Sequence, residues 1–424
     1  MPEESDPIVV TGMGAVTPLG VGVATNWERL RASRSGIRHN DRFDVSALPC
    51  RIAGLVPDKA NDPSGFDPLD FIDAKDVKKM DLFIQYGLGA AQEAVNQAGW
   101  HPGTDAEREA TATIIATGVG GFPAMTDAAI TLKERGHRRL SPFVVPSFLA
   151  NLAAGWISIR HGFKGPIGTP VTACAAAAQA IGDGMRMIKS GEAEVAVVGG
   201  AEGSIDPVTI GGFGAARALS TAYNDRPTEA SRPFDRDRDG FVLAEGSAIL
   251  VIERLSHALK RGAQPLARLA GYGTTADAYH LTASPPDGEG AQRAMRNALR
   301  MGGVSPADVG YVNAHSTSTP VGDAAEIAAI ASVFANRGKD LAISATKSAT
   351  GHLLGAAGAI ATIYTIMAIR TGILPATLNL DNPDENAAVF DLVAKTARAK
   401  EVAYALVNAF GFGGVNACLL VGKA

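Results

Sequence analysis

The 424-residue sequence has few of the features that mark several common classes of protein. Its three cysteines, Cys50, Cys174 and Cys418, lie far apart and form no CxxC pair, so neither a zinc site nor a disulfide framework is indicated. Its net charge is −4 at pH 7, so no excess of positive charge points to nucleic acid. We therefore expect a soluble protein of a reducing compartment, the cytoplasm, that binds neither a metal ion nor nucleic acid.

Targeting segments and long apolar runs are also missing. The N-terminus, MPEESDPIVV, has acidic residues and no positively charged region, so we expect no secretory signal. The longest mostly apolar run, LLGAAGAIATIYTIMAI, lies between His352 and Arg370 and contains glycine and threonine. It is marginal for the roughly 20 apolar residues that a membrane span needs. This run predicts a buried core helix and no membrane span.

Motifs for nucleotide binding and metal hydrolysis do not occur. GMGAVTPLG departs from the GxGxxG spacing, and GLGAAQEA lies inside a predicted helix. There is no GxxxxGK[ST], HExxH or GxSxG. A dinucleotide site is therefore unsupported, although the chain holds 48 glycines spread along its length.

The segments that are present alternate between strand and helix patterns. IVVTGMG predicts a strand that breaks at Gly12, and MDLFIQYGLGAAQEAVNQAG has the apolar spacing of a helix. TATIIATGVGG and GEAEVAVVGGAEG predict further strands, each followed by a glycine turn, and the second has the Val/Ala run of a strand buried on both faces. Alternation of this kind favours an α/β architecture with mixed or parallel sheets.

The two halves of the chain have a similar layout. TPVTAC leads into an alanine-rich helix ending near Ser190, and the strand AEVAVVGGAEG follows. LAISATKSATGH leads into the second apolar helix, and YALVNAFGFGGVNACLLV follows. We interpret this as an internal duplication and predict two domains, residues 8–262 and 263–424.

Cys174 lies in VTACAAAAQA, after an extended β-branched segment and before a run of good helix formers. It is therefore expected at a helix N-terminus, where free N–H groups and the helix dipole favour a thiolate and could stabilise an oxyanion. A small buried side chain is the competing interpretation, and position alone leaves both open.

Four further groups lie at predicted strand-to-turn or turn-to-helix junctions, where α/β folds place their sites. His315 is in YVNAHSTSTP, and His352 is in SATGHLLGAAG with Lys347 five residues before it. The glycine segment NAFGFGGVN contains Phe412 and could supply a second oxyanion donor. Taken singly, each of these residues also fits a purely structural role.

Together these segments resemble the β-ketoacyl-acyl-carrier-protein synthases, the condensing enzymes of fatty-acid synthesis, and in particular the elongating type I/II ketosynthases. The resemblance runs almost end to end and includes IVVTGMGAVTPLG, TACAAA, GGFGAARALS, RPFDRDRDGFVLAEG, DAYHLTASPPDG, NAHSTSTPVGD, TKSATGHLLGAAG, LNLDNPD and NAFGFGGVNACLL. It implies a thiolase-like five-layered αβαβα fold made of two similar halves, usually as a homodimer.

The resemblance also implies roles for individual residues. Cys174 would be the acyl-accepting nucleophile, and His315 and His352 would complete a Cys-His-His triad beside Lys347. Phe412 would give a backbone N–H to the oxyanion hole and a ring that gates the acyl site, and Thr317 and Thr319 would bind the phosphopantetheine arm. No metal or organic cofactor is implied, because decarboxylation drives formation of the C–C bond.

The implied partner is an acidic acyl carrier protein, loaded with an acyl or a malonyl group. Basic residues lie in the segments that the family uses for docking: Lys75, Lys78, Lys79, Arg138, Arg139 and Arg217. The implied activity is decarboxylative condensation of an acyl-carrier-protein thioester with malonyl-carrier protein, giving a 3-oxoacyl-carrier protein, by an acyltransferase of the β-ketoacyl synthase II type.

Several positions depart from the family's usual residues. Ala175 and Ala176 replace hydroxyl residues, Ser316 replaces glycine, Ala361 replaces a glutamate and Val415 replaces threonine. These departures leave two alternatives: a specialised ketosynthase for an unusual acyl or polyketide product, and a non-condensing subunit that only binds acyl chains or carrier protein. Retention of Cys174 with both histidines disfavours the second alternative.

Overall fold

The computed structural model describes residues 6–424. We predicted from the acidic start of the chain, MPEESDPIVV, that there is no secretory signal. Part of this segment lies outside the described residues. The elements up to residue 262 are β1 Ile8–Thr17, β2 Gly20–Val21, α1 Val23–Arg31, β3 Ile37–His39, β4 Ile52–Gly54, α2 Ala74–Val77, α3 Leu82–Ala98, α4 Asp105–Glu109, β5 Thr111–Ala116, α5 Phe122–Arg135, α6 Val144–Phe148, α7 Leu152–His161, β6 Ile167–Gly168, α8 Ala176–Ser190, β7 Val195–Glu202, α9 Pro207–Ala215, β8 Gly246–Arg254 and α10 Leu255–Lys260.

The elements beyond residue 262 follow a similar plan. They are β9 Ala267–Ala276, α11 Glu289–Gly302, β10 Val309–Asn313, α12 Pro320–Val333, β11 Ala342–Ser344, α13 Lys347–Thr350, α14 Ala357–Thr371, β12 Ile373–Leu374, β13 Asp391–Leu392, β14 Arg398–Ala399, β15 Tyr404–Gly411 and β16 Val415–Gly422. Two short 3₁₀ helices matter for the site: Ala173–Ala175 directly precedes α8, and Leu354–Ala356 directly precedes α14.

The two halves share one strand order. In the first half the order is β1-β8-β7-β5-β6, and in the second it is β9-β16-β15-β10-β11, with β13 added at the edge. The first strand of each half is antiparallel to its last strand, and the inner pairs β5–β7 and β10–β15 are parallel. A short antiparallel pairing of Ile8–Val10 with Ala267–Leu269 joins the halves. The duplicated layout predicted from the sequence is therefore present in the topology. The predicted boundary at residues 262 and 263 falls between α10 and β9 and stays a prediction.

Of the four hydrophobic clusters within residues 6–424, three lie between helices and the two parts of the sheet. One lies under α3 and α7 on the outer face of the first sheet, and another lies under α11 and α12 on the outer face of the second. The third lies between the sheets and is built around α8 and α14. The apolar segment Leu354–Thr371 is long and apolar enough to cross a membrane, but 83% of it is buried in this middle layer, as expected of a core helix.

The predicted strand break at Gly12 is wrong. β1 runs on to Thr17, and the pairing with β8 shifts register between Val10 and Gly12. A β-bulge absorbs one residue without ending a strand. The glycine is needed for packing, since a Cβ at Gly12 would lie 2.0 Å from the carbonyl oxygen of Ala94 on α3.

A buried carboxylate ties β8 to the elements around it. Glu253 is fully buried and accepts hydrogen bonds from Thr11 on β1, from Arg261 at 2.8 Å and from His257 at 2.6 Å. Burial alone would raise the pKa of Glu253, but the bonds from Arg261, His257 and Thr11 lower it to about 2. Because the folded pKa lies below the unfolded value, the stabilisation is present above about pH 4.5 and is lost as pH falls toward 2.

We predict that Glu253→Gln destabilises the fold by about 3 kcal/mol at pH 7, because the pKa of Glu253 is lowered to about 2 in the folded protein, well below that of an exposed glutamate. Calorimetric melting should show a lower Tm than that of wild type at pH 7 and a difference that shrinks as pH falls from 4.5 to 3. The exposed Glu194→Gln is the matched control and should melt like wild type. An unchanged Tm for Glu253→Gln at pH 7 would contradict the prediction.

Candidate active site

Cys174 occupies the centre of the tight turn that opens α8. Ala173, the first residue of this 3₁₀ helix, has a φ of 50°, in the left-handed region that side chains other than glycine rarely adopt. The turn directs Cys174 into a cavity of about 510 Å³ that is also lined by His315 and His352. The sheet topology thus brings together three residues that are as many as 178 positions apart in sequence.

The two histidines meet Cys174 from the second half. His352 Nε2 lies 2.9 Å from Cys174 Sγ, within hydrogen-bond distance. The backbone N–H of His352 donates a hydrogen bond to the carbonyl oxygen of Val242 at 2.8 Å. The backbone N–H of Ala244 donates one to the carbonyl oxygen of His352 at 3.0 Å. The His315 ring stands nearly perpendicular to the His352 ring, with centroids 5.6 Å apart. One thiol and two imidazoles therefore share a single enclosed space.

The thiol is not a preformed thiolate, contrary to our expectation from the helix N-terminus. Burial raises the pKa of Cys174 to about 12, and this effect outweighs the lowering by Lys347 and by the backbone N–H groups of Cys174 and Phe412. The local helix end does stabilise the anion, but desolvation costs more. At neutral pH the nucleophile therefore needs a base, and His352 is at the right distance to be one.

Burial also keeps both histidines neutral. Desolvation and the nearby Lys347 lower the pKa of His315 and of His352 well below the usual range for histidine. Lys347 is itself buried, which lowers its pKa to about 8 despite the opposing charge of Glu326. A neutral imidazole has one N–H donor and one acceptor nitrogen, so each ring can move or donate a proton.

Glu326 binds the backbone around His315, next to the unusual residue Ser316. Its carboxylate accepts hydrogen bonds from the backbone N–H groups of His315 and Ser316 at 2.8 and 2.6 Å, and from Asn408 at 2.9 Å. The Ser316 hydroxyl, unusual at this position, adds a bond of 2.7 Å to the same carboxylate. At Ala361, where the family often has glutamate, the backbone carbonyl accepts from Asn313. Glu326 is thus the carboxylate that acts most strongly on the charge of Lys347.

The predicted gate and pantetheine residues line the cavity. Phe412 is 41% exposed, and its ring centroid lies 6.4 Å from that of Phe213. Thr317 and Thr319 line the cavity with their hydroxyls 3.2 Å apart, and the Thr317 backbone N–H is held by Asp323 at 3.0 Å. The structure therefore places all three on the cavity wall, and their predicted roles stay predictions.

The predicted docking residues are on the surface and differ in how they are paired. Lys79 is bound to Asp76 at 2.6 Å and lies over the Phe143 ring, and Lys75 is 3.7 Å from Asp73. Lys78, Arg138 and Arg139 are exposed, and the exposed Arg217 lines the cavity. Lys79 is therefore partly neutralised before any partner binds.

Our sequence reasoning missed three buried carboxylates near the site: Glu202, Asp323 and Glu326. Each carries little local signal, because it lies in a strand end or in a helix of ordinary composition. A carboxylate among apolar residues in GGAEG was the one available hint for Glu202. Within residues 6–424, no group of three or more His, Cys, Asp or Glu side chains could hold a metal ion.

Comparison with protein-family models identifies the class. The N-terminal domain of β-ketoacyl synthase matches residues 5–258, and the C-terminal domain of β-ketoacyl synthase matches residues 266–381. These matches span most of the chain, which therefore belongs to the β-ketoacyl synthase family. The predicted family is confirmed.

Individual relatives agree with this assignment. The chain is 46% identical to 3-oxoacyl-acyl-carrier-protein synthase 2 of Rhizobium meliloti (strain 1021), covering 98% of each chain. Its fold matches a β-ketoacyl synthase from Burkholderia phymatum STM815 with a TM-score of 0.89 and 32% identity, covering 99% of this chain and 100% of that one. It also matches, at a TM-score of 0.89 and 29% identity and over 99% of each chain, a structure of a type II PKS acyl-carrier protein in complex with its ketosynthase bound to the hexaketide.

These neighbours confirm two further predictions. The fold is the thiolase-like α/β fold, and the protein is an enzyme, an acyltransferase of the β-ketoacyl synthase class.

We predict that His352→Ala slows alkylation of Cys174 by iodoacetamide at least about tenfold at pH 7.5, because a thiol with a pKa of about 12 loses its base. The rate in the variant should keep rising as pH increases toward 10. Peptide mapping would separate Cys174 from the buried Cys50 and Cys418. The matched control, His101→Ala on the surface, should react like wild type. Equal rates for His352→Ala and wild type would show that His352 is not the base.

Proposed function

We propose that this protein catalyses the decarboxylative condensation of an acyl-carrier-protein thioester with malonyl-carrier protein, giving a 3-oxoacyl-carrier protein and CO₂ in fatty-acid chain elongation. The observation that carries the proposal is the 2.9 Å contact between Cys174 Sγ and His352 Nε2 beside the His315 ring. The R. meliloti relative is named 3-oxoacyl-acyl-carrier-protein synthase 2, which is the name of an enzyme with the predicted activity. Neither the specialised ketosynthase nor the non-condensing subunit is favoured by this name.

In the first half-reaction the thiol of Cys174 attacks the carbonyl carbon of the acyl thioester. Its proton passes to His352 Nε2, and the negative charge on the carbonyl oxygen is stabilised by the backbone N–H groups of Cys174 and Phe412. The bond from the carbonyl carbon to the pantetheine sulfur then breaks, and the leaving thiolate takes up the proton. The acyl chain remains on Cys174 as a thioester.

In the second half-reaction malonyl-carrier protein enters the same cavity and loses CO₂. The electron pair of the broken C–C bond forms an enolate, whose oxygen needs hydrogen-bond donors. His315 and His352 can both donate because their pKa values are held well below the usual range, which leaves them neutral with one N–H each. The enolate carbon attacks the carbonyl carbon of the acyl thioester, a C–C bond forms as the bond from that carbon to Sγ breaks, and Cys174 leaves as a thiolate that takes up one proton from water.

We propose an acidic acyl carrier protein as the partner, docking on the predicted basic residues of the surface. The solved ketosynthase complex with an acyl-carrier protein supports this kind of partner. Arg217 supports the location, because it is exposed and lines the cavity that contains Cys174. Long-range attraction to an acidic surface would speed association, as opposed charges do in other complexes.

We also propose a homodimer in the cytoplasm. β6 is an edge strand, and apolar side chains on it and beside it are exposed by 50% or more: Val145, Ile159, Ile167 and Val171. An apolar patch beside an open sheet edge is a surface that natural proteins usually cover. Three free cysteines suit a reducing compartment.

We expect the wild-type protein, given acyl-carrier proteins of graded chain length and malonyl-carrier protein, to form 3-oxoacyl products two carbons longer than the acyl substrate. Mass spectrometry of the products would measure this. Cys174→Ala should form no acyl-enzyme adduct and should lose condensation. Products from ordinary saturated chains support fatty-acid elongation, products only from unusual chains support a specialised ketosynthase, and acylation without condensation would overturn the proposal.

We predict that Lys78→Glu with Lys79→Glu raises the KM for acyl-carrier-protein substrates about tenfold and leaves turnover of a small acyl thioester nearly unchanged, because only the former needs the basic surface. Steady-state kinetics with both substrates would measure this. Lys260→Glu, an exposed residue on α10 that is not part of the cavity lining, is the matched charge reversal and should have no effect. Equal losses on both substrates would refute the docking role.

A further inference from the structure

The turn that carries Cys174 has a structural counterpart in the second half. Each turn is a three-residue 3₁₀ helix followed at once by a 15-residue helix, Ala173–Ala175 before α8 and Leu354–Ala356 before α14. Each begins on a non-glycine residue with positive φ, 50° at Ala173 and 42° at Leu354. Cys174 and Gly355 are therefore equivalent positions in the duplicated fold.

The two turns differ in what their backbone N–H groups face. At the first turn the N–H groups of Cys174 and Phe412 face the thiol, where the substrate's oxygen would develop charge. At the second turn the N–H of Gly355 donates to Glu202 Oε2 at 3.0 Å, and the N–H of Gly118 donates to the same oxygen at 2.8 Å. Thr117 Oγ1 donates to Oε1 at 3.3 Å. The second turn thus also forms a backbone anion hole, and a side chain of the protein fills it.

The second turn has no room for a nucleophile. A Cβ at Gly355 would lie 2.1 Å from the backbone nitrogen of Gly118, closer than real Cβ contacts come. Glu202 itself is fully buried at the end of β7, a strand of the first half. A buried carboxylate is stable only when hydrogen bonds replace its lost hydration, and here they come from the N–H of Gly118, after β5, and the N–H of Gly355, before α14.

This carboxylate links the halves next to the reacting atoms. Gly118 lines the cavity, and Gly355 follows His352 by three residues in the same turn. We propose that Glu202 is a positioning residue: its carboxylate fills the anion hole formed by the N–H groups of Gly118 and Gly355 and so holds the turn that presents His352 to Cys174. The effect on catalysis rests on the proposed function, whereas the effect on the reactivity of Cys174 does not.

The test measures alkylation of Cys174 by iodoacetamide at pH 7.5 in folded Glu202→Ala, with Tm as the check on folding. We expect the rate to fall about tenfold, as for the loss of buried hydrogen bonds to a charged group. Formate and formamide are small enough for the vacated hole and have an oxygen that can accept both N–H groups, so each should restore at least half of the rate, whereas methylammonium, which has no acceptor atom, should not. If Glu202 had only a general structural role, none of the added molecules would restore the alkylation rate selectively. Glu194→Ala, exposed on the surface, is the control and should match wild type.

Two conservative variants keep the proposal testable if Glu202→Ala does not fold. Glu202→Gln keeps a carbonyl oxygen that can accept both N–H groups, so it should react within about threefold of wild type. Glu202→Asp is shorter and cannot reach both donors, so it should lose about tenfold. Wild-type rates in the Ala or Asp variant, a Gln variant as slow as Ala, or equal effects of formate and methylammonium would each overturn the proposal. Normal alkylation behaviour without condensation in wild type would instead overturn the proposed function alone.

Discussion

The reaction centre depends on how closely two helices approach each other between the sheets. A Cβ at Gly358 on α14 would lie 2.7 Å from the backbone nitrogen of Ala178 on α8, so the helices touch through backbone and methyl groups. Ala175 to Ala178 are all fully buried. Alanine suits these positions because a hydroxyl would need a hydrogen-bond partner there. Since each helix begins next to a reacting group, this contact sets the distance between Cys174 and His352.

The dry interior created by this packing has opposite effects on the two kinds of reacting group. It makes the thiolate of Cys174 costly, and it keeps both histidines uncharged. An attacking anion would be better served by a more polar pocket, whereas an enolate oxygen is better served by neutral donors in a water-poor one. The site therefore suits the enolate oxygen. It compensates for the costly thiolate by placing a base, His352, next to the thiol of Cys174.

Much of the layout could be predicted from local patterns. The apolar spacing of α3, the alanine run of α8 and the junction positions of Cys174, His315 and His352 all correspond to elements in the structure. Two expectations failed because a distant contact overrode a local signal. Gly12 lies inside a strand because α3 packs against it, and Cys174 is a thiol because burial outweighs the helix end. Glu202 and Glu326 were missed for a related reason, since Glu202 meets Gly355 across 153 positions of sequence and no spacing rule reaches that far.

Because the two halves contribute different catalytic groups, the activity of the enzyme depends on how the halves are positioned relative to each other. The nucleophile comes from the first half and both imidazoles come from the second, and sites at such junctions inherit any movement between the units that form them. A shift of one ångström between the halves would leave every strand and helix intact and still separate Sγ from Nε2. The turnover rate is therefore more sensitive to the relative position of the two halves than any spectroscopic measurement of secondary structure.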